Sequence, residues 1–99
     1  MTGRQRLASI GIDADLVLSL CATHGATNVA VFGSVARGTS TQDSDLDILA
    51  TLETGRSLFD LVRLRESLAE IAKRPVEVVS RNGLSPFIGP TIIEESLPL

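Results

Sequence analysis

Residues 32–48 read FGSVARGTSTQDSDLDI. The stretch opens with a glycine–serine pair and ends with two aspartates, Asp45 and Asp47, that are separated by one residue. Leu46 and Ile48 alternate with these acids, as expected in a strand that buries one face. The pattern predicts a glycine-rich turn, a polar loop and then a strand whose other face begins with two carboxylates.

Three alternative interpretations of this stretch explain fewer of its residues. A P-loop has the same glycine spacing from Gly33 to Gly38, but Thr39 stands where that motif needs a lysine. A calcium loop also uses alternating aspartates, but Ile48 stands at its glycine position and Thr54 at its glutamate position. The third interpretation is a solvent-exposed acidic turn without a chemical role, which is the common explanation of an isolated pair of aspartates.

Glu77 extends the acidic pattern to a second strand, because it is the one acid within VEVVS, residues 76–80. An acid inside an apolar strand must reach water, a partner or a metal ion. If this strand pairs with the strand after Asp45, Glu77 joins Asp45 and Asp47 on one face. Like charges at such a distance repel each other by about 4 kcal/mol, and a divalent cation relieves the repulsion. The three carboxylates therefore predict a site with two Mg²⁺ ions for phosphoryl transfer.

The remaining sequence predicts a mixed α/β fold, with helices packed on a small mixed sheet in the order α-β-α-β-α-β-α. Apolar runs predict strands at 28–32, 46–52 and 76–80, and apolar residues at helical spacing predict a helix at 57–73 with a capping box. The short connection between the first two strands favours antiparallel pairing. The helix between the second and third favours a parallel, right-handed crossover. We expect residues 1–99 to form one domain.

The predicted ends of the chain are helical. Two short helices are expected before the first strand, over residues 2–10 and from Asp13 to about Gly25. Ser34 is expected to cap a single helical turn that ends at Gly38. A last helix is expected from Ser85, with Pro86 in its first position, to about residue 96.

Composition excludes several classes of function. The chain has 9 Lys and Arg against 12 Asp and Glu, three Phe, and no Tyr or Trp, which argues against direct binding of nucleic acid. No run of 18 apolar residues is present, so we expect no membrane span. Asp13 and Asp15 interrupt the apolar stretch that follows two arginines, so we expect no signal peptide and a cytoplasmic protein. Cys21 is the only cysteine and is expected in the core. A chain this small has a modest core, which favours a homo- or hetero-oligomer.

Three parts of the quoted stretch together resemble a known signature: Gly33-Ser34, then Ala-Arg-Gly at 36–38, then Ser-Asp-Leu-Asp-Ile at 44–48. The signature is that of the DNA polymerase β-like nucleotidyltransferase superfamily, and the similarity is closest to its minimal nucleotidyltransferase (MNT) domains. The resemblance extends from about residue 29 to residue 80. Such domains are usually the antitoxin of a toxin–antitoxin pair whose toxin is a HEPN ribonuclease.

The resemblance implies roles for individual residues. Gly33 and Ser34 would hold the triphosphate of the nucleotide, and Asp45 and Asp47 would bind Mg²⁺. Arg37 would either neutralise phosphate or pair with an acid as a structural anchor. Glu77 would stand in the place of a third carboxylate, which in the family is usually aspartate, and glutamate is longer by one methylene.

The implied reaction is the transfer of AMP from ATP to a tyrosine hydroxyl of the toxin, with release of pyrophosphate. The chain is too short for a second substrate-binding domain and lacks a basic groove, so a protein acceptor is favoured over RNA or DNA. One alternative is an antitoxin that neutralises its toxin by binding, with weak or no catalysis. Another is a nucleotidyltransferase for small molecules of the aminoglycoside type.

Overall fold

The computed structural model describes residues 1–99, which form five α-helices, four β-strands and a short 3₁₀ turn. The order of these elements along the chain is α1 (Gly3–Ser9), α2 (Ala14–Thr23), β1 (Ala26–Phe32), α3 (Gly33–Arg37), β2 (Leu46–Leu52), α4 (Leu58–Ala72), β3 (Val76–Ser80), the 3₁₀ turn (Arg81–Gly83), α5 (Gly89–Glu95) and β4 (Leu97–Pro98). The predicted mixed α/β architecture is confirmed. No helix is both long enough and apolar enough to cross a membrane.

The four strands form one mixed sheet in the order β3-β2-β1-β4. β1 pairs antiparallel with β2, and β2 pairs parallel with β3, as the connection lengths predict. The parallel register sets Asp47 of β2 beside Glu77 of β3. β4 was not predicted, because two residues carry no readable alternation; it pairs antiparallel with β1 at Ala30 and Val31.

The sheet has one fully covered face and one partly covered face. α1, α2, α3 and α4 contribute to the main core on the first face, where alternate strand residues such as Leu46, Ile48 and Val78 are buried. The second face carries a smaller apolar cluster of Ala30, Phe32 and Leu49, against which α5 and the segment before it pack. The odd-numbered positions of β2 lie on this second face, so the alternation directs Asp47 away from the main core.

The start of α4 follows the predicted capping pattern. The Asp60 carboxylate accepts hydrogen bonds from the Ser57 backbone N–H (2.9 Å) and from the Ser57 hydroxyl (3.2 Å). Behind this cap the helix buries Leu64, Leu68 and Ala72 in the main core. The pattern therefore predicts both the start of the helix and the face that it buries.

Two predicted helix starts are wrong. α5 begins at Gly89 and not after Ser85, because Pro90 lacks an N–H and fits only within the first turn of a helix. Ser34 does not cap α3. The helix begins at Gly33, and the Ser34 carbonyl instead accepts hydrogen bonds at the end of the turn, from the N–H groups of Gly38 and Thr39.

Candidate active site

The turn that joins β1 to α3 places Gly33 directly against Asp47. Gly33 has a φ of +71°, a conformation that residues with side chains rarely adopt. A Cβ at this position would also collide with the Asp47 carboxylate, since its distance to Asp47 Cγ would be 3.0 Å. Glycine therefore satisfies two requirements here, the backbone conformation and the close approach of an acid.

The three predicted carboxylates lie on the same face of the sheet. Asp45 precedes the first residue of β2, Asp47 is the second residue of that strand, and Glu77 is the register partner of Asp47 on β3. Asp45 and Glu77 are exposed, whereas Asp47 is half-buried. The structure therefore places the three acids near one another at the starts of β2 and β3, where Asp47 senses the charges of the other two.

Among the three acids, Asp47 has a pKa that its surroundings shift. Burial raises the pKa of Asp47 above its ordinary value, and the negative charges of Asp45 and Glu77 raise it further. The Arg37 guanidinium acts in the opposite direction, and the Glu95 carboxylate adds to the increase. A half-buried acid with a perturbed pKa, beside two other acids and a glycine turn, is typical of a functional site.

Arg37, at the end of α3, forms an ion pair with Glu95, at the end of α5. The distance from Arg37 Nη1 to Glu95 Oε2 is 3.0 Å. The other carboxylate oxygen, Glu95 Oε1, accepts a hydrogen bond from the Gly33 backbone N–H at 3.1 Å. Arg37 therefore pairs with an acid as a structural anchor, which was one of the two roles expected for it. The hydroxyl of neighbouring Ser34 forms no hydrogen bond within the protein.

Glu95 belongs to this site, and the sequence did not indicate it. It is 62 residues from Gly33 along the chain, and it follows another glutamate, Glu94, at the end of a short helix. No local pattern separates the two. Only the packing of α5 against α3 and β1 brings Glu95 to the turn.

The acids do not form a closed metal cage. No three acidic, histidine or cysteine side chains are arranged so that they alone could hold a metal ion. Carboxylate oxygens are nevertheless the ligands that Mg²⁺ prefers, and Mg²⁺ is commonly held by one or two carboxylates together with substrate phosphates and water. The donor set of Asp45 and Asp47 fits Mg²⁺ in that manner, and the metal roles of Asp45, Asp47 and Glu77 stay predictions.

A cavity of about 510 Å³ lies elsewhere, lined by Ser9, Ile10, Ser40, Thr41, Gln42 and Arg74. None of the predicted site residues lines it. A choice of candidate site by volume alone would favour this cavity. The candidate site is instead the partly covered face of the sheet, because the perturbed acid, the glycine turn and the ion pair of Arg37 lie together there.

Comparison with known proteins identifies the family. The model of the family described as "Nucleotidyltransferase domain" matches residues 13–98. A protein of Methanocaldococcus jannaschii, provisionally named a protein adenylyltransferase, is 35% identical over 81 residues, which are 82% of this chain and 87% of that protein. The protein adenylyltransferase MntA of Thermococcus cleftensis is 35% identical over 71 residues, which are 72% of each chain.

Solved structures agree with this result. A structure provisionally described as a minimal nucleotidyltransferase superposes with a TM-score of 0.80 at 43% identity, over 100% of this chain and 97% of that one. A toxin–antitoxin complex with AMP-PNP shares the fold, with a TM-score of 0.75 at 19% identity over 85% of this chain and 69% of the other. The resemblance drawn from residues 32–48 is therefore confirmed. The chain belongs to the nucleotidyltransferase domain family, and the protein is a nucleotidyltransferase.

Proposed function

We propose that this protein transfers AMP from ATP to a tyrosine hydroxyl of a partner HEPN ribonuclease toxin, and that it acts as the antitoxin of that partner. The observation that carries the proposal is the position of Asp45, Asp47 and Glu77 on one face of the sheet, beside the Gly33 turn. Relatives that bear the name protein adenylyltransferase support the AMP donor, and structural neighbours described as toxin–antitoxin complexes support the partner. The HEPN identity and the tyrosine follow from the resemblance of the motif.

The turn supplies groups that can bind the nucleotide phosphates. The Ser34 hydroxyl has no partner within the protein and can donate to a phosphate oxygen. The Gly33 N–H and the Arg37 guanidinium lie on the same side of the turn, since one carboxylate accepts from both. Guanidinium and backbone N–H groups are the donors that proteins commonly use for phosphate.

The acids would hold Mg²⁺ together with the nucleotide. Asp45 and Asp47 would bind the ions, and Glu77 would contribute either to the metal site or to the acceptor side. When bound, Mg²⁺ neutralises the phosphates and the charge that develops on the departing pyrophosphate. Burial is the main cause that raises the pKa of Asp47, and the charges of Asp45 and Glu77 raise it further. A cation bound between these acids would offset that part of the increase which the neighbouring charges cause.

The transfer requires a group that accepts the proton of the attacking hydroxyl. The hydroxyl oxygen forms a bond to the α-phosphorus, the bond from that phosphorus to the bridging oxygen breaks, and pyrophosphate leaves. Glu77 is exposed on the acidic face and can accept the proton, directly or through water. Asp45 and Glu77 lie exposed on the surface, which suits an acceptor hydroxyl carried by a protein.

The test is transfer of labelled AMP from ATP to the purified partner toxin in the presence of Mg²⁺. We expect Asp45→Asn combined with Asp47→Asn to lower the transfer by more than about 100-fold, as is typical for loss of charge-stabilising groups. Asp43→Asn is the matched control, because Asp43 is an exposed acid of the preceding loop whose side chain has no partner. It should retain full transfer.

The same variants separate catalysis from binding. If the double variant still binds the toxin but no longer protects cells from it, catalysis is the protective activity. Undiminished protection by the double variant would contradict the proposal and favour an antitoxin that acts by binding. Equal AMP transfer by wild type and double variant would contradict the assigned site. Loss of transfer when Mg²⁺ is chelated tests the metal requirement separately.

A further inference from the structure

The Glu95 carboxylate occupies the two donors of the turn that are best suited to phosphate. One of its oxygens accepts from the Gly33 N–H at 3.1 Å, and the other accepts from Arg37 Nη1 at 3.0 Å. A carboxylate and a phosphate present the same kind of acceptor oxygen to such donors. A nucleotide phosphate and Glu95 therefore cannot use the same donors at the same time.

The balance of charge around the turn is unfavourable to a further anion. Asp47 senses three other carboxylates, those of Asp45, Glu77 and Glu95, and a single guanidinium, that of Arg37. A triphosphate would add its own negative charge to this surface. Glu95 thus opposes a phosphate in two ways, by using its donors and by repelling it.

The position of Glu95 allows its side chain to leave without disturbing the core. Glu95 is the last residue of α5, and the backbone of Ser96 is already extended. The residue that packs α5 on the sheet is Ile92, three positions earlier. The Arg37 side chain is 53% exposed and the Glu95 side chain 25% exposed, so the pair is partly hydrated and its exchange for another anion is inexpensive.

We propose that Glu95 is an internal competitor of the nucleotide: its carboxylate holds the Gly33 N–H and Arg37 until the phosphates of the incoming nucleotide displace it. This inference rests on the proposed nucleotide-binding function of the same turn. It makes the end of α5 a determinant of nucleotide affinity, and it reconciles the two roles expected for Arg37. Arg37 would pair with Glu95 in the free protein and with a phosphate in the nucleotide-bound protein.

The test compares Glu95→Gln with Glu94→Gln by calorimetric titration in excess Mg²⁺. The two variants lose the same charge from adjacent positions, but Glu94 is exposed and has no ion pair or hydrogen bond through its side chain. The probes are inorganic tripolyphosphate, which reports on the phosphate donors alone, and ATP. Thermal unfolding of each protein verifies that it is folded.

We expect Glu95→Gln to bind both probes about two- to fivefold more tightly than wild type, the effect of removing one partly exposed ion pair. Glu94→Gln should bind like wild type. Should Glu95→Gln fail to fold, Glu95→Asp replaces it, because the shorter side chain keeps the charge but cannot bridge both donors. It should also bind more tightly than wild type.

Each outcome decides one question. Equal or weaker binding by the folded Glu95 variant, with wild type binding normally, overturns the inference and leaves the proposed function intact, because Glu95 would then only position Arg37. Binding by the variant alone supports the inference and means that the carboxylate blocks wild type almost completely. If neither protein takes up either probe, both the inference and the proposed function are overturned.

Discussion

Gly33 determines how close the turn between β1 and α3 can come to the acids. Its φ of +71° costs a residue with a side chain about 1–2 kcal/mol, and the space where a Cβ would lie is taken by the Asp47 carboxylate. The two costs can be separated, because Gly55 also has a positive φ, +91°, but has nothing within 4 Å of the same position. Gly55 is thus a natural control for the conformational cost alone.

We expect Gly33→Ala to destabilise the protein more than Gly55→Ala does. Both variants pay the cost of a left-handed conformation, and the first also displaces Asp47, which adds about 1–3 kcal/mol. Urea unfolding measures both free energies, and calorimetry with ATP and Mg²⁺ should detect lost binding only for Gly33→Ala. Equal unfolding free energies in the two variants would mean that the contact with Asp47 is easily relieved.

Cys21 gives the protein a distinct response to alkaline pH. Its side chain is fully buried, and burial raises the pKa of its thiol from 9.0 to about 11. Below pH 9 the thiol is neutral in the folded and the unfolded chain, so it does not affect the free energy of unfolding. Between pH 9 and pH 11 only the unfolded chain ionises, and the folded state loses stability as pH rises.

The expected loss is about 2–3 kcal/mol by pH 11, from about 1.36 kcal/mol for each pKa unit. The chain has no tyrosine, whose phenol would otherwise ionise in this range. Urea unfolding at a series of pH values from 7 to 11 measures the slope. In Cys21→Ala the free energy of unfolding should depend less on pH between pH 9 and pH 11, although it is lower than that of wild type at pH 7. An unchanged slope in Cys21→Ala would assign the loss to other groups.

At the scale of elements, the sequence predicts those parts whose pattern is local. The apolar runs of β1, β2 and β3 and the capping residues of α4 each lie within a short window, and the connection lengths then give the pairing. Asp45 and Asp47 could be identified as candidate site residues for the same reason. Their spacing and their alternation with Leu46 and Ile48 are properties of one short segment.

Elements and residues that depend on distant contacts were not predictable in this way. β4 is defined only by its pairing with β1. The beginning of α5 depends on where Pro90 falls in the first turn, and Glu95 reaches Gly33 across 62 residues. Glu94 and Glu95 are equivalent in sequence, and only the packing of α5 distinguishes the one that faces the site.

The cap of α4 leads to a prediction about the stability of the protein at acidic pH. The hydrogen bond from the Ser57 N–H is the main cause that lowers the pKa of Asp60. A lowered pKa means that the ionised carboxylate stabilises the folded protein above the unfolded pKa, and that this stabilisation is lost as pH falls through the folded pKa. Asp60→Asn should therefore lower the melting temperature at pH 7, and the difference from wild type should shrink in acid. Glu66→Gln, an exposed mid-helix control, should show neither effect.

At the scale of the whole molecule, the two faces of the sheet have different tasks. The first face is covered by helices and holds most of the buried apolar residues. The second face leaves its acids accessible and is covered only by the small cluster under α5. The same strands thereby contribute both to the core and to an exposed acidic surface, because the alternation of β2 directs Ile48 to the first face and Asp47 to the second.

The first helix and the last strand close the fold against each other at Gly3. A Cβ there would lie 2.7 Å from the carbonyl oxygens of both Leu97 and Pro98 and 2.8 Å from Leu99 Cδ2. Helix propensity alone predicts that Gly3→Ala stabilises α1, by less than the roughly 1 kcal/mol of a helix interior because Gly3 is the first residue of the helix. Backbone carbonyls cannot move aside as a flexible side chain can, so the overpacking cost of about 1–3 kcal/mol should outweigh that gain.

Gly3→Ala should therefore show a net decrease in the free energy of unfolding, and hydrogen exchange at the Leu99 amide, which donates to the Val29 carbonyl at 3.0 Å, should become faster. The matched control is Gly83→Ala, because Gly83 has no positive φ and open space where its Cβ would lie. That control should stay within about 0.5 kcal/mol of wild type. A stabilised Gly3→Ala protein would mean that α1 and β4 can separate without loss, and that the main core alone holds the sheet together.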